Sequence, residues 1–289
     1  MTKRRIVFFI SVILLILGAV CLWQRAIFFD GKLHVVFCDV GQGDGIFIRT
    51  PQASNIIVDG GPDDKILSCI AKHTPFWERT IHVAVVSHPH ADHFQGFIPL
   101  LDSYTIKAFA TEKLTNNTVG YKQLLTLLET KRVPIQYVFA GDSIKTKDGV
   151  VLKVLGPTQA YLDKTSSSGV IGESKEFASL IVYVTYGDSS ILLTGDSQVS
   201  GLLEAFEQVT PHVAVFQLPH HGSKTGVSEE LFNKIHPSIG IISVGKNNYG
   251  HPSKETLELL NKFTIPYLRT DQKGDIELIS DGKIISIKK

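Results

Sequence analysis

Within six residues the chain places three histidines and an aspartate, in the run Ser87-His88-Pro89-His90-Ala91-Asp92-His93. Residues 80–87, which lead into it, are largely apolar and read as a buried strand, and residues 94–101 after it read as a turn or short helix. Side chains alternate along an extended segment, so His88 and His90 share one face. Asp92 and His93 then fall where the chain turns, within reach of a second ion beside the first. Neutral imidazole and carboxylate suit zinc and neighbours such as manganese. The run reads as half of a two-metal centre, so the remaining ligands must arrive from other strand ends.

The 289 residues can hold one large domain or two small ones, and 43% hydrophobic content is enough for a full core. Residues 6–23 are uncharged and almost wholly apolar, and Lys3, Arg4 and Arg5 precede them. As a helix, 18 such residues span about 27 Å, the thickness of a bilayer core. Basic residues before the span stay cytoplasmic, which sends the body outward. The expected organisation is a tip and anchor over residues 1–29, with a single-pass membrane location, and an extracytoplasmic body over 30–289. Cleavage of the segment as a signal peptide, giving a secreted body, is the alternative. Setting aside the four cations of residues 1–29 leaves 25 basic against 28 acidic residues, a body near −3. Such a body has no bulk electrostatic pull on nucleic acid. Cys21 lies in the apolar segment, Cys38 in a predicted strand and Cys69 in a predicted helix. Two buried thiols are the expected state of Cys38 and Cys69, an extracytoplasmic disulfide the alternative.

Past residue 30, strand-like and helix-like stretches alternate. Residues 33–38 and 45–49 read as strands around Asp39-Val40-Gly41-Gln42-Gly43-Asp44, and 55–58 as a third ending in Asp59-Gly60-Gly61. Helices are expected over 64–73 and 117–131, then strands over 150–155, 180–186 and 191–194, the last two joined by a Gly187-Asp188 turn. Helices over 199–208, 228–235 (opened by Ser228) and 254–263 alternate with strands over 213–218 and 239–244, and two short strands close the chain. Residues 165–172 read as a flexible loop. The pattern suggests two sheets packed between helices.

Three further strand ends carry the remaining candidates. The strand over 191–194 runs into Gly195-Asp196. An N-cap role for Asp196 would explain the acid but not the glycine, which lets a backbone approach a metal closely. The strand over 213–218 runs into Pro219-His220-His221-Gly222-Ser223-Lys224, and the strand over 239–244 precedes Tyr249-Gly250-His251-Pro252.

These segments, taken in order, resemble the metallo-β-lactamase superfamily, and within it the soluble domain of ComEC-like competence proteins and their stand-alone relatives. The resemblance covers residues 33 to about 255. It rests on the 39–44 and 57–61 segments, the His88–His93 cluster, Leu193-Thr194-Gly195-Asp196, Pro219-His220-His221-Gly222-Ser223 and Tyr249-Gly250-His251-Pro252. It implies a four-layer αββα sandwich holding two divalent ions, Zn2+ or Mn2+. His88 and His90 match ligands of the first ion, Asp92 and His93 of the second, and Asp196 the bridge. The His220-His221 pair supplies one more ligand, with His220 preferred. Many superfamily members complete the first site with a further histidine, but none occurs here between His93 and Asp196. The polar segment Glu176-Phe177-Ala178-Ser179 stands in that region, and a more weakly held first ion is expected.

A metal pair about 3.5–4 Å apart brings the pKa of water toward neutrality and absorbs charge developing on oxygen. Asp92 belongs to the catalytic set, and His221 and His251 are candidate proton donors to a leaving group. Asp39, Asp44 and Asp59 are candidates to support ligands or substrate, and Ser223 and Lys224 to hold a phosphate. The leading expectation is a phosphodiesterase outside the membrane; the ComEC resemblance favours DNA during uptake, with DNA-uptake proteins as partners, and similarity to choline-phosphate esterases of the same branch leaves an envelope phosphodiester as the other substrate. A non-catalytic scaffold of a DNA-uptake apparatus is the alternative of another class, and a lactamase or thioesterase would keep the fold while changing the bond broken. Oligomeric state is not legible.

Overall fold

The computed structural model describes residues 3–171, 178–207 and 212–288. Two mixed sheets stack face to face. The first has eight strands in the spatial order Ile285–Ile287, Ile276–Ser280, Leu33–Phe37, Gly45–Arg49, Asn55–Gly60, Val83–Val86, Phe109–Thr111 and Ile135–Tyr137. The second has seven, in the order Tyr267–Arg269, Ile239–Ile242, Val215–Gln217, Ser189–Leu193, Ile181–Tyr186, Val151–Gly156 and Ser143–Lys145.

Sequence alternation produces the layering. Ile46, Ile48, Ile56, Val58 and Val85 point from the first sheet into the space between sheets, where they meet Leu152, Val154, Val182, Val184, Ile191 and Leu193 of the second. The intervening Phe47, Ile57, Ala84 and Val86 point the other way, onto the helices Lys65–His73, Phe97–Ser103 and Val119–Thr130 through Ile66, Ile70, Phe97, Leu100 and Leu124. Leu192, Phe216 and Ile242 do the same from the second sheet, packing on Leu202, Leu231, Phe232 and Leu260 of three helices on the opposite side. Strands covered on both faces must be apolar at successive positions, which is why they read as continuous apolar runs. The result is the expected αββα sandwich.

Several boundaries differ from expectation. The 80–87 run divides at His82, whose Nδ1 accepts from Asn55 N at 3.0 Å. Thr80–Ile81 pairs with Thr105–Ile106, and Val83–Val86 alone enters the main sheet. Phe109–Thr111, Ile135–Tyr137 and Ser143–Lys145 are three-residue strands, too short for a period-two signal. Residues 199–208 give a helix over Val199–Ala205 with Gln198 as N-cap, so Asp196 does not cap it; Gln208 lies outside the described residues. Ser228 does cap its helix, accepting from Leu231 N at 3.1 Å. Three strands, not two, follow Lys254–Lys262. Thr165 and Ser166, at the start of the 165–172 segment, are buried, and Val170 bridges to Thr115; Gly172 lies outside the described residues.

Cys38 and Cys69 form a disulfide, which corrects the expectation of two thiols. The helix Lys65–His73 lies on the first sheet with the Cys69 Cα 5.8 Å from that of Cys38, a packing distance that neither local segment encodes. The N-terminal helix Lys3–Phe28 buries none of its side chains and is long and apolar enough to cross a membrane.

Candidate metal centre

The edge where both sheets present strand C-termini gathers the chemistry. In the first sheet, Asn55–Gly60 and Val83–Val86 are parallel neighbours, so Asp59 and the Ser87-His88 turn emerge side by side. In the second, Ser189–Leu193, Val215–Gln217 and Ile239–Ile242 are parallel and release Asp196, the His220-His221 pair and Ser243 at the same edge. The sheets approach closely there. A Cβ on Gly195, with φ of +49°, would lie 2.4 Å from Ser179 Oγ and 2.7 Å from Ser87 Oγ. Gly195 therefore serves hydroxyl packing between the sheets rather than backbone approach to an ion. Gly43 plays a like part for the Asp39–Asp44 turn, where a Cβ would lie 2.4 Å from Asp92 O.

Asp196 is the hub, buried between two sets of imidazoles. Its Oδ2 lies 3.7 Å from His88 Nε2 and 3.6 Å from His220 Nε2, while Oδ1 lies 3.3 Å from His93 Nε2 and 3.6 Å from His221 Nε2. His88 Nε2 and His90 Nδ1 face each other at 2.9 Å. Asp92 Oδ2 lies 3.4 Å from His221 Nε2 and 3.9 Å from His93 Nε2. Two donor groups result: His88, His90 and Asp196, and Asp92, His93, Asp196 and His221. Within the second, His93 Nε2, His221 Nε2 and Asp196 Oδ1 are buried with no hydrogen-bond partner among the described residues. His93 Nε2 and His221 Nε2 instead converge on Asp196 Oδ1 within ion-pair distance, a set of nitrogen and oxygen donors that fits a cation.

Surrounding groups set which nitrogen faces inward. His93 Nδ1 is 2.9 Å from Asp59 Oδ2, and Asp59 also accepts from Ser87 N and Ser87 Oγ, each at 2.7 Å. His221 Nδ1 donates to Ser243 O at 3.0 Å, which turns its Nε2 toward Asp92 and Asp196. His220 and His221 both take left-handed backbone conformations, φ 51° and 56°, which splay their rings to opposite oxygens of Asp196. Two adjacent non-glycine residues in this region store strain of about 1–3 kcal/mol each, and such strain concentrates at functional sites.

Electrostatics follow the same partition. Burial opposes ionisation of Asp196, yet His93 and His221 hold its pKa well below the ordinary carboxylate value. Burial likewise opposes, and His93 and His221 outweigh it, for Asp92, whose pKa is lowered. Burial opposes protonation of His221, but Asp196, Asp92 and Asp44 bring it to about 9. His88 goes the other way, lowered well below its usual value by burial and by His93. Asp44 is pushed up to about 6 by burial, with His221 and His93 acting against the rise.

Of the remaining sequence candidates, Asp44 lies within 3.7 Å of His221 Nδ1 and 3.8 Å of His93 Nδ1. His251 reaches the rim, its ring centroid 5.3 Å from that of His220. Asp39 is not brought into the donor groups: it is exposed and its Oδ1 accepts from Gly41 N. Ser223 is buried, with Oγ 3.1 Å from Thr225 Oγ1, and Lys224 is exposed. Glu176 and Phe177 lie outside the described residues. Sequence reasoning gave no role to Ser87, Ser243 or Glu112, and named Ser179 only within the polar segment 176–179. Ser87 and Ser179 place hydroxyls 3.1 and 3.5 Å from His88 Nδ1, and Ser179 Oγ accepts from Asp196 N at 3.2 Å. Ser243 contributes a carbonyl, and Glu112 is fully buried, its pKa raised well above the ordinary value by burial and by Asp59. Ser87 carried a signal in its adjacency to His88, and Ser179 in its polar segment.

The layered architecture and the clustered edge define a metallo-β-lactamase-fold protein with a candidate metal-binding centre. Among solved structures, YhfI of Bacillus subtilis, a metallo-β-lactamase-fold protein, matches 85% of this chain and 99% of its own at 11% identity and a TM-score of 0.57. CmlA of Streptomyces venezuelae, a diiron β-hydroxylase, matches 86% of this chain and 54% of its own at 12% identity and a TM-score of 0.56. By sequence the chain is similar to ComE operon protein 3 of Bacillus subtilis (strain 168), 28% identical over 293 residues, with 91% of this chain and 36% of that protein covered. It is also similar to Recombination protein 2 of Haemophilus influenzae, 25% identical over 245 residues, covering 83% of this chain and 28% of that protein. The chain thus spans about a third of the length of these relatives, and no family model matches it.

Proposed function

We propose that this chain is a metal-dependent phosphodiesterase acting on DNA outside the membrane to which the helix Lys3–Phe28 ties it. The observation that carries this reading is the buried convergence of His93 Nε2 and His221 Nε2 on Asp196 Oδ1, at 3.3 and 3.6 Å, with the Asp92 carboxylate beside them. His88, His90 and Asp196 would hold one divalent ion, with His220 beside Asp196 Oδ2. Asp92, His93, Asp196 and His221 would hold the other. When bound, such ions activate water and neutralise charge developing on phosphoryl oxygens.

The protein's own groups would do the rest. Asp59 and the Ser243 carbonyl fix the rings of His93 and His221, so neither must reorganise during reaction. His251, half-buried at the rim, has its pKa lowered by burial and by its neighbours His220 and His221, and is placed to pass a proton to a leaving oxygen. DNA as substrate is supported by the likeness to proteins named for competence and recombination. A body near −3 supports delivery of the strand by a partner of the uptake machinery rather than unaided binding. The outward orientation draws support from the Cys38–Cys69 disulfide, a bond that persists in oxidising compartments, and from Lys3, Arg4 and Arg5 before the apolar span.

The test is incubation of the full-length protein with Mn2+ or Zn2+ and three substrates: bis-p-nitrophenyl phosphate, single-stranded DNA and nitrocefin. Hydrolysis of the first two, abolished by His88→Ala, is expected. Hydrolysis of nitrocefin alone would make the bond broken an amide, and hydrolysis of none would favour a scaffold.

A further inference from the structure

Four strands of the first sheet, Leu33–Phe37, Gly45–Arg49, Asn55–Gly60 and Val83–Val86, run between the same two edges. One edge carries Asp44, Asp59 and the His88 turn. The other receives the apolar helix: Arg49 Nε donates to Phe28 O at 3.2 Å, and its guanidinium sits 4.9 Å over the Phe29 ring. Strands of four to six residues separate the edges by roughly 13–20 Å.

At this second edge the turn Pro75-Phe76-Trp77 leads from the helix Lys65–His73 toward Thr80–Ile81. Phe76 is 55% exposed and Trp77 42%, their rings in edge-to-face contact at 4.9 Å. They are the exposed Phe and Trp among the described residues of 30–289. Gln24 ties the turn to the apolar helix, its Oε1 accepting from Phe76 N at 3.2 Å. Trp23, Phe76 and Trp77, with Arg25 and Arg79 nearby in sequence, assemble the residue types that favour a bilayer's headgroup level, where an aromatic body is apolar-facing and a cation stays wet.

We propose that the Phe76-Trp77 turn is a second membrane contact, seated in the interfacial layer of the bilayer that Lys3–Phe28 crosses. The body is then held at two points, and the metal-ligand edge faces away from the membrane, toward whatever approaches from the bulk phase. This rests on the helix being an anchor and not on the phosphodiesterase reading. The chain's two tryptophans make it measurable. Full-length Trp23→Phe, with Trp77 the remaining reporter, is placed in phosphatidylcholine nanodiscs containing lipids spin-labelled either at the headgroup or deep in the acyl chain. We expect headgroup labels to quench Trp77 emission about twofold, deep labels to quench it less, and iodide to reach it poorly. Trp77→Phe, which leaves Trp23, serves as the companion. If Trp23 is quenched by lipid labels while Trp77 answers only to iodide, the helix is embedded and the turn is not, and the proposal is overturned. Quenching of neither tryptophan by lipid overturns it with the anchor. Neither result depends on hydrolysis.

Discussion

His93 Nδ1 lies 2.9 Å from Asp59 Oδ2, and the opposite nitrogen of the same ring lies 3.3 Å from Asp196 Oδ1. One carboxylate thus orients the ring, so Asp59 decides which nitrogen of His93 faces Asp196. Asp59 itself has a left-handed backbone, φ 59°, and is buried. Asp59→Asn should weaken metal binding about 10–100-fold with the fold retained, read by competition with a chelating dye alongside circular dichroism. Unchanged affinity would show that His93 needs no such support.

The two faces of Asp196 predict different outcomes for adjacent histidines. His221→Ala removes a buried member of the four-donor group and should cost the ion expected to bind there more tightly. His220→Ala, whose ring is partly exposed and faces the donor-poorer side, should cost only the other ion, the one expected to be lost on dialysis. Metal counting by mass spectrometry after dialysis separates them. Two equivalents retained by the wild type would contradict the difference between the sites.

Cys38–Cys69 closes 31 residues of chain, and loops of that length give a disulfide roughly 3–4 kcal/mol through the unfolded state. Cys69→Ser should lower the denaturant midpoint accordingly, and reductant should lower the wild-type midpoint by the same amount while leaving the variant unmoved.

A network beside Phe28, at the end of the apolar helix, predicts the pH dependence of stability. Glu277 lies 2.7 Å from His34 Nδ1, 3.3 Å from His73 Nδ1 and 2.8 Å from Lys288 Nζ. Burial opposes charge on both histidines, but Glu277 with Asp30, and Asp275 with Glu277, raise their pKa values. Burial also opposes ionisation of Glu277, and His34 and His73 nevertheless lower its pKa. A raised histidine stabilises fully below its unfolded pKa of about 6.5, and the gain is lost as pH climbs through the folded value. A lowered carboxylate stabilises above about 4.5, and its gain is lost on acidification through the folded value. The melting-temperature gap between wild type and Glu277→Gln should therefore be widest between about pH 4.5 and 6.5 and narrow above it, without closing because Lys288 keeps its charge. A gap independent of pH would show that the histidines carry no charge in this network.

The sequence by itself determined the layers and the inventory of the centre. Apolar runs at 46–48, 56–58 and 191–193 read as strands, and strand ends carrying His88, His90, Asp92, His93, Asp196 and the His220-His221 pair suggested metal chemistry. Tertiary structure alone decided which atoms meet. The opposite directions of His220 and His221 depend on two left-handed residues, and the orienting roles of Ser87, Ser179 and Ser243 depend on two sheets closing at Gly195. The Cys38–Cys69 bond depends on a helix laid across a strand end. Local patterns encode burial and period because these are properties of neighbouring residues; orientation at a site comes from contacts between segments far apart in the chain, and only packing fixes those.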